Sequence, residues 1–167
     1  GHYQTTTSSS YQRDDLKAAL VTHLTWQIYL INQGWADFLC KPLERITLRQ
    51  LRVKVRRLRS CLAFFKPVLC YPVVGIWQDE LRRQGVELSL LRELDVALMA
   101  IEKIKPPLVE GDMLYPEKIA KILTEARTVE AKRLKQKNKV EDITFILSRM
   151  IIWLQGTPIK QEYVSYD

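Results

Sequence analysis

Apolar residues recur every three or four positions along nearly the whole chain, and the strict alternation typical of β-strands is absent. The clearest run consists of Leu16, Leu20, Leu24, Ile28 and Ile31. This spacing places side chains on one face of an α-helix, which is buried only by packing against other helices. The sequence therefore predicts an all-α fold, an antiparallel helical bundle of about five helices.

Helix-breaking and capping residues divide this pattern into five predicted helices. Thr47 followed by Gln50 has capping-box spacing, and Asn138 followed by Glu141 suggests a second cap. Glycine at Gly156 is a typical helix stop. The predicted helices run from about 13 to 40, 48 to 66, 74 to 105, 116 to 137, and from the Asn138 cap to Gly156.

Domain boundaries follow from the same pattern. The polar opening GHYQTTTSSS predicts that residues 1–12 are a flexible leader or the remnant of a tag. Residues 13–157 form the predicted bundle, and residues 158–167 form a C-terminal tail. No apolar run approaches the roughly 20 residues of a membrane span, so no membrane partner is expected.

One predicted helix holds the charge imbalance of the whole chain. The protein has 26 basic and 19 acidic residues, a net charge of +7, and residues 45–59 contain seven basic residues and no acidic one. Leu48, Leu51, Val55, Leu58 and Leu62 share one predicted core face. A second stripe, about a quarter turn away, contains Arg45, Arg49, Arg52, Arg56 and Arg59, with Lys66 extending it.

Such a stripe repels itself, because like charges four residues apart destabilise a helix. A solvated face, acidic residues on another helix, or a polyanionic ligand would each account for it. Guanidinium groups hold phosphate oxygens bidentately, and a row of them suits a ligand whose charge repeats along its length. The second basic cluster, AKRLKQKNK at residues 131–139, has glutamates nearby and is interpreted as a solvated face.

Catalytic and metal-binding signatures are weak. His23 lies among apolar helical positions, and the paired carboxylates are sequence neighbours whose side chains diverge on a helix. Three cysteines without C-x-x-C spacing indicate free thiols of a reducing cytoplasm rather than a disulfide framework or a zinc site. The sequence therefore predicts no enzyme, no cofactor and no metal.

The basic helix carries a resemblance to a known family. The segment RQLRVKVRRLRSCLAFFKPVL resembles the signature of the CHAD family, the conserved-histidine α-helical domain, at positions that include Arg52, Val53, Arg56, Arg57, Arg59 and Lys66. LLRELDVAL resembles its second motif through Arg92, Asp95 and Val96. Arg49 stands where the family has its histidine. The likeness suggests the N-terminal half of a two-bundle fold.

The resemblance implies a function. Members of the family bind inorganic polyphosphate in a basic groove or pore, are found at polyphosphate granules, and often follow a CYTH triphosphatase domain. The expected ligand residues are Arg45, Arg49, Arg52, Arg56, Arg57, Arg59, Lys66 and Arg92. Asp95 is expected to form a structural ion pair that positions an arginine of the stripe.

We therefore expect a non-catalytic polyphosphate-binding module of the cytoplasm that is located at the granules. Its expected partners are polyphosphate, a second CHAD half or another copy of itself, and a CYTH domain. Nucleic-acid binding is the main alternative, since counterion release makes any arginine stripe attractive to a phosphate backbone. An accessory domain of a triphosphate-hydrolysing enzyme is the third.

Overall fold

Six α-helices make up the described part of the chain, which comprises residues 2–70, 72–104, 114–156 and 158–159 of a computed structural model. The helices are α1 (His2–Cys40), α2 (Arg45–Phe65), α3 (Val73–Glu87), α4 (Ser89–Glu102), α5 (Leu114–Val140) and α6 (Ile143–Gln155). Helix α1 packs on α2 and α6, α3 packs on α2, and α4 packs mainly on α5. The predicted all-α bundle is confirmed.

Two helix predictions were wrong. Helix α1 begins at His2 instead of residue 13, so its backbone includes most of the predicted leader. The single helix predicted over residues 74–105 is divided at Leu88, where the Ser89 hydroxyl donates a hydrogen bond to the Val86 carbonyl at 2.6 Å. The division is slight, because the Leu88 N–H still donates to the Gln84 carbonyl at 3.2 Å. The apolar spacing of α3 therefore continues across Leu88 into α4.

Both predicted caps were also wrong. The Thr47 hydroxyl donates to the carbonyls of Lys41 and Glu44 at 2.9 and 2.8 Å. It therefore does not cap a helix starting at Leu48, and α2 begins at Arg45. Asn138 lies inside α5, and α6 is capped instead by the Asp142 carboxylate, which accepts from the Thr144 N–H at 2.9 Å. Gly156 follows the last residue of α6, as predicted.

Helix α2 is held in the bundle by the predicted core face. Leu48, Leu51, Val55, Leu58 and Leu62 are all buried, and they join the main apolar core. Gly34 of α1 lies against them: a Cβ atom there would meet Leu51 Cδ1 and Lys54 Cδ at 3.3 Å each. Helices α1 and α2 therefore approach closely at the one glycine of α1, and the opposite side of α2 remains open.

The described tail residues close one end of the bundle. Ile159 is buried and forms an isolated antiparallel bridge with Leu69, and the Cys70 N–H donates to the Pro158 carbonyl at 2.7 Å. The remaining tail and residue 105, the predicted end of the third helix, lie outside the described residues. Within the described ranges, no helix is long and apolar enough to cross a membrane.

A buried ion pair joins α4 to α5. Asp95 of α4 is 6% exposed and Arg127 of α5 is 4% exposed. Arg127 donates to both carboxylate oxygens of Asp95 through Nε and Nη2, and its Nη1 donates to the Pro42 carbonyl at 2.8 Å. The predicted ion pair of Asp95 therefore exists, but its partner is Arg127, and the expected pairing with an arginine of the α2 stripe was wrong.

Replacing Asp95 with alanine should destabilise the fold strongly, because it leaves the Arg127 charge buried without its counter-ion. Breaking such a pair from one side costs about 3–5 kcal/mol. Urea unfolding would measure this loss. The matched control is Glu102→Ala, which removes the partner of Arg45 from an exposed pair and should change stability little. Equal effects of the two variants would contradict the structural role of Asp95.

Candidate functional site: a basic groove between two helices

An open groove of about 700 Å³ runs along α2, and α4 with the end of α3 forms its other side. We call it the basic groove. Five arginines of α2 line it, namely Arg45, Arg49, Arg52, Arg56 and Arg59, and Arg92 lines it from α4. Six of the eight predicted ligand residues therefore converge on one concave surface.

Four of the five arginines on the α2 wall lack acidic compensation within the described part of the chain. Within the described residues, Arg49, Arg52, Arg56 and Arg59 form no salt bridge with a carboxylate. Arg52 is half-buried, and its Nε atom is buried without a hydrogen-bond partner. Burial lowers the pKa of the Arg52 guanidinium, and the positive charges of Arg92 and Arg56 lower it further. The groove thus concentrates positive charge.

Helix α4 supplies a different kind of wall. Arg92, Val96 and Met99 lie four and three residues apart, so they share one helix face, and all three line the groove. Asp95 also lines it, but its charge is satisfied by Arg127. Among the described lining residues Asp95 is the one carboxylate, so no unpaired acid in this lining opposes an anionic ligand.

Three predicted ligand residues differ from this pattern. Arg45 lines the groove but donates two hydrogen bonds to Glu102 of α4, at 2.5 and 3.0 Å, and the hydrogen bond to Glu102 raises its pKa. Arg57 lies outside the groove, beside a shallower depression along α2 that Gln50 and Lys54 also line. Lys66 follows the last residue of α2 and does not line the groove.

The second basic cluster is compensated in part by nearby glutamates. Arg133 donates to Glu130 at 2.6 Å, and the hydrogen bond to Glu130 raises the pKa of Arg133. Lys137 donates to Glu87 at 2.6 Å, and that hydrogen bond lowers the pKa of Glu87. Two basic side chains of this cluster are therefore held in ion pairs, which agrees with its interpretation as an ordinary charged face.

Among the described side chains, one histidine lies on the surface and no cluster of metal-binding groups is assembled. His23 is exposed on α1, where its Nε2 lies 2.8 Å from Gln27 Nε2. No group of three or more histidine, cysteine, aspartate or glutamate side chains is positioned there to hold a metal ion.

Sequence reasoning missed two components of this region. Arg127 was not singled out, although it occupies a core position of the α5 pattern, four residues after Leu123 and four before Ala131. A charged residue at such a position requires a buried partner, and this was an available signal. The apolar contribution of Val96 and Met99 was also missed, because nothing in α4 alone reveals which helix lies opposite.

Replacing Arg52 with methionine should stabilise the free protein slightly. Methionine keeps the apolar contacts of the stem and removes one charge facing Arg92 and Arg56; like-charge neighbours on a helix cost a few tenths of a kcal/mol per pair. Urea midpoints would measure the gain, which should shrink as sodium chloride screens the repulsion. Arg57→Met, outside the groove, is the control. A lower midpoint for Arg52→Met would show that Arg52 supports the fold.

Comparisons with known proteins add one positive result. The family model of the CHAD domain matches residues 36–164, which include α2 to α6 and every residue of the basic groove. No curated protein and no solved structure gave a match. The match covers more than half of the chain, and it includes both segments whose residues form the groove walls. The chain therefore belongs to the CHAD domain family.

Proposed function

We propose that this chain is a non-catalytic binding module for inorganic polyphosphate, which it holds in the basic groove. The observation that carries the proposal is the convergence of arginines from two helices on a concave surface whose one described carboxylate is already paired. Membership of the CHAD family supports it, since CHAD domains are known in polyphosphate-related proteins.

The spacing of the α2 arginines suits a phosphate polymer. Arg49, Arg52, Arg56 and Arg59 follow each other at three or four residues, so their Cα atoms rise by about 5 Å from one to the next. Each guanidinium donates through a planar fork that fits two phosphate oxygens. A polymer lying along α2 would meet this row over about 15 Å.

Ligand binding would also offset the repulsion among the positive charges of the unoccupied groove. Arg52 is half-buried among like charges, and its Nε atom has no hydrogen-bond acceptor within the described structure. A bound phosphate would supply the missing negative charge beside the Arg52 guanidinium. Polyphosphate binding should therefore stabilise the fold as well as occupy the groove.

The cellular setting and the partners are part of the proposal. We place the protein in the cytoplasm, at polyphosphate granules, with a second CHAD half, another copy of the chain or a CYTH-domain protein as its partner. Arg57 and Lys66 would then contact phosphate only beyond the groove, and they contribute less than the arginines that line it.

Changing Arg52, Arg56 and Arg59 together to glutamine should weaken polyphosphate binding about a hundredfold or more, because three charge-assisted contacts are lost. Titration calorimetry would measure it. The control changes Lys132, Lys135 and Lys139, all exposed on α5, to glutamine and removes the same formal charge. Equal losses in both variants would mean non-specific charge attraction.

The affinity for polyphosphate should fall steeply with salt and rise with chain length. Neutralising about four phosphates predicts a slope near −3 in a plot of log affinity against log salt. Affinity should level off once a chain spans the groove. Orthophosphate binding as tightly as long chains would contradict this multivalent contact.

DNA that displaces polyphosphate at equal phosphate concentration and fixed salt would favour nucleic-acid binding instead.

A further inference from the structure

The basic groove has two walls of different chemistry, and polyphosphate matches only one of them. On α2 the wall is dominated by arginines, four of which have no carboxylate partner among the described residues, although Ile46 also lines it. On α4 the wall continues from Arg92 to Val96 and Met99, which are 43% and 45% exposed. Inorganic polyphosphate has no apolar group. It would leave Val96 and Met99 in contact with water when bound.

The geometry points to a nucleoside oligophosphate as a ligand of this groove, with the phosphates on the α2 arginines and the base on Val96 and Met99. This inference deepens the proposed function and rests on its anion-binding wall. It adds an apolar contact that distinguishes a nucleotide from a phosphate chain of equal length. The groove, at about 700 Å³, has the volume of sites that take ligands of this size.

The α4 wall has suitable groups for a base. The thioether of methionine makes favourable contacts with aromatic rings, and the valine methyl groups add apolar area. Arg92 lies one helical turn before Val96, so its guanidinium can stack on the ring or contact the nearest phosphate. The positive charge of α2 and the apolar surface of α4 are therefore complementary to the two parts of one amphipathic anion.

The size of the apolar wall favours a mononucleotide over a single-stranded nucleic acid. Val96 and Met99 are three residues apart, and the helix rises about 4.5 Å between them, which is room for one base. Proteins that bind single strands stack successive bases on several aromatic side chains. None of the described residues lining the groove is aromatic.

Comparing ATP with inorganic tripolyphosphate tests the inference directly. Both ligands have three phosphates, and tripolyphosphate carries the greater negative charge at pH 8 because all its oxygens are free of esters. In EDTA, a groove that recognises charge alone should bind tripolyphosphate more tightly. We expect ATP to bind about tenfold more tightly, a difference of about 1.4 kcal/mol.

The double variant Val96→Thr with Met99→Gln should remove this preference. It should weaken ATP binding about tenfold and tripolyphosphate binding much less, since the arginines are retained. The matched control is Val129→Thr with Ile122→Gln, two apolar residues exposed on α5 away from the groove. The control should keep the ATP preference of the unchanged protein.

Each other outcome rejects a defined part of the argument. Tripolyphosphate binding as tightly as ATP to the unchanged protein overturns the nucleotide inference and leaves the proposed function intact. Failure of both ligands and of long-chain polyphosphate to bind overturns the two together. Self-association in sedimentation that ATP does not affect and that the Val96 and Met99 changes abolish would assign the α4 wall to a protein contact, and so overturn the inference.

Discussion

The buried ion pair between Asp95 and Arg127 is the interaction on which the shape of the basic groove depends. It fixes α4 against α5, and through the Pro42 carbonyl it also ties α5 to the link between α1 and α2. Helix α4 is the second wall of the groove, and its Glu102 also binds Arg45 at the start of α2, so two ion pairs hold this wall in place. An ionic contact restricts orientation more than apolar packing does, because its hydrogen bonds fail when either helix rotates.

Paired and unpaired charged side chains are distributed unevenly over the helices of the bundle. Glu130 and Glu87 satisfy basic residues of α5, Glu80 satisfies Arg83, and Glu102 satisfies Arg45 at the start of α2. The arginines in the middle of α2 have no such partner within the described residues. Within the described residues, uncompensated positive charge is therefore concentrated along the groove face of α2, where low exposure of Arg52 strengthens its field.

How much of the fold and of the site could be predicted depended on how far each feature is determined by residues that are close together in the sequence. The core face of α2 was predicted correctly because five apolar residues repeat at helical spacing over a long segment, and the arginine stripe follows from the same geometry. The Thr47 cap failed because a hydroxyl can donate as well as accept, and sequence spacing does not distinguish the two. The pairing of Asp95 with Arg127 was not predicted, because the two residues are 32 positions apart in the sequence and their contact depends on how α4 and α5 pack.

Gly34 affects the packing of the helix that carries the groove arginines, although it does not itself line the groove. Because α1 meets α2 through a position without a side chain, the two backbones come close: a Cβ atom at position 34 would lie 3.4 Å from the Leu51 Cα atom. A side chain at position 34 would press on Leu51 and Lys54 of the helix that carries the groove arginines, so these neighbours would have to move by a few tenths of an ångström. The packing of the binding helix is therefore sensitive to a residue that does not itself line the groove.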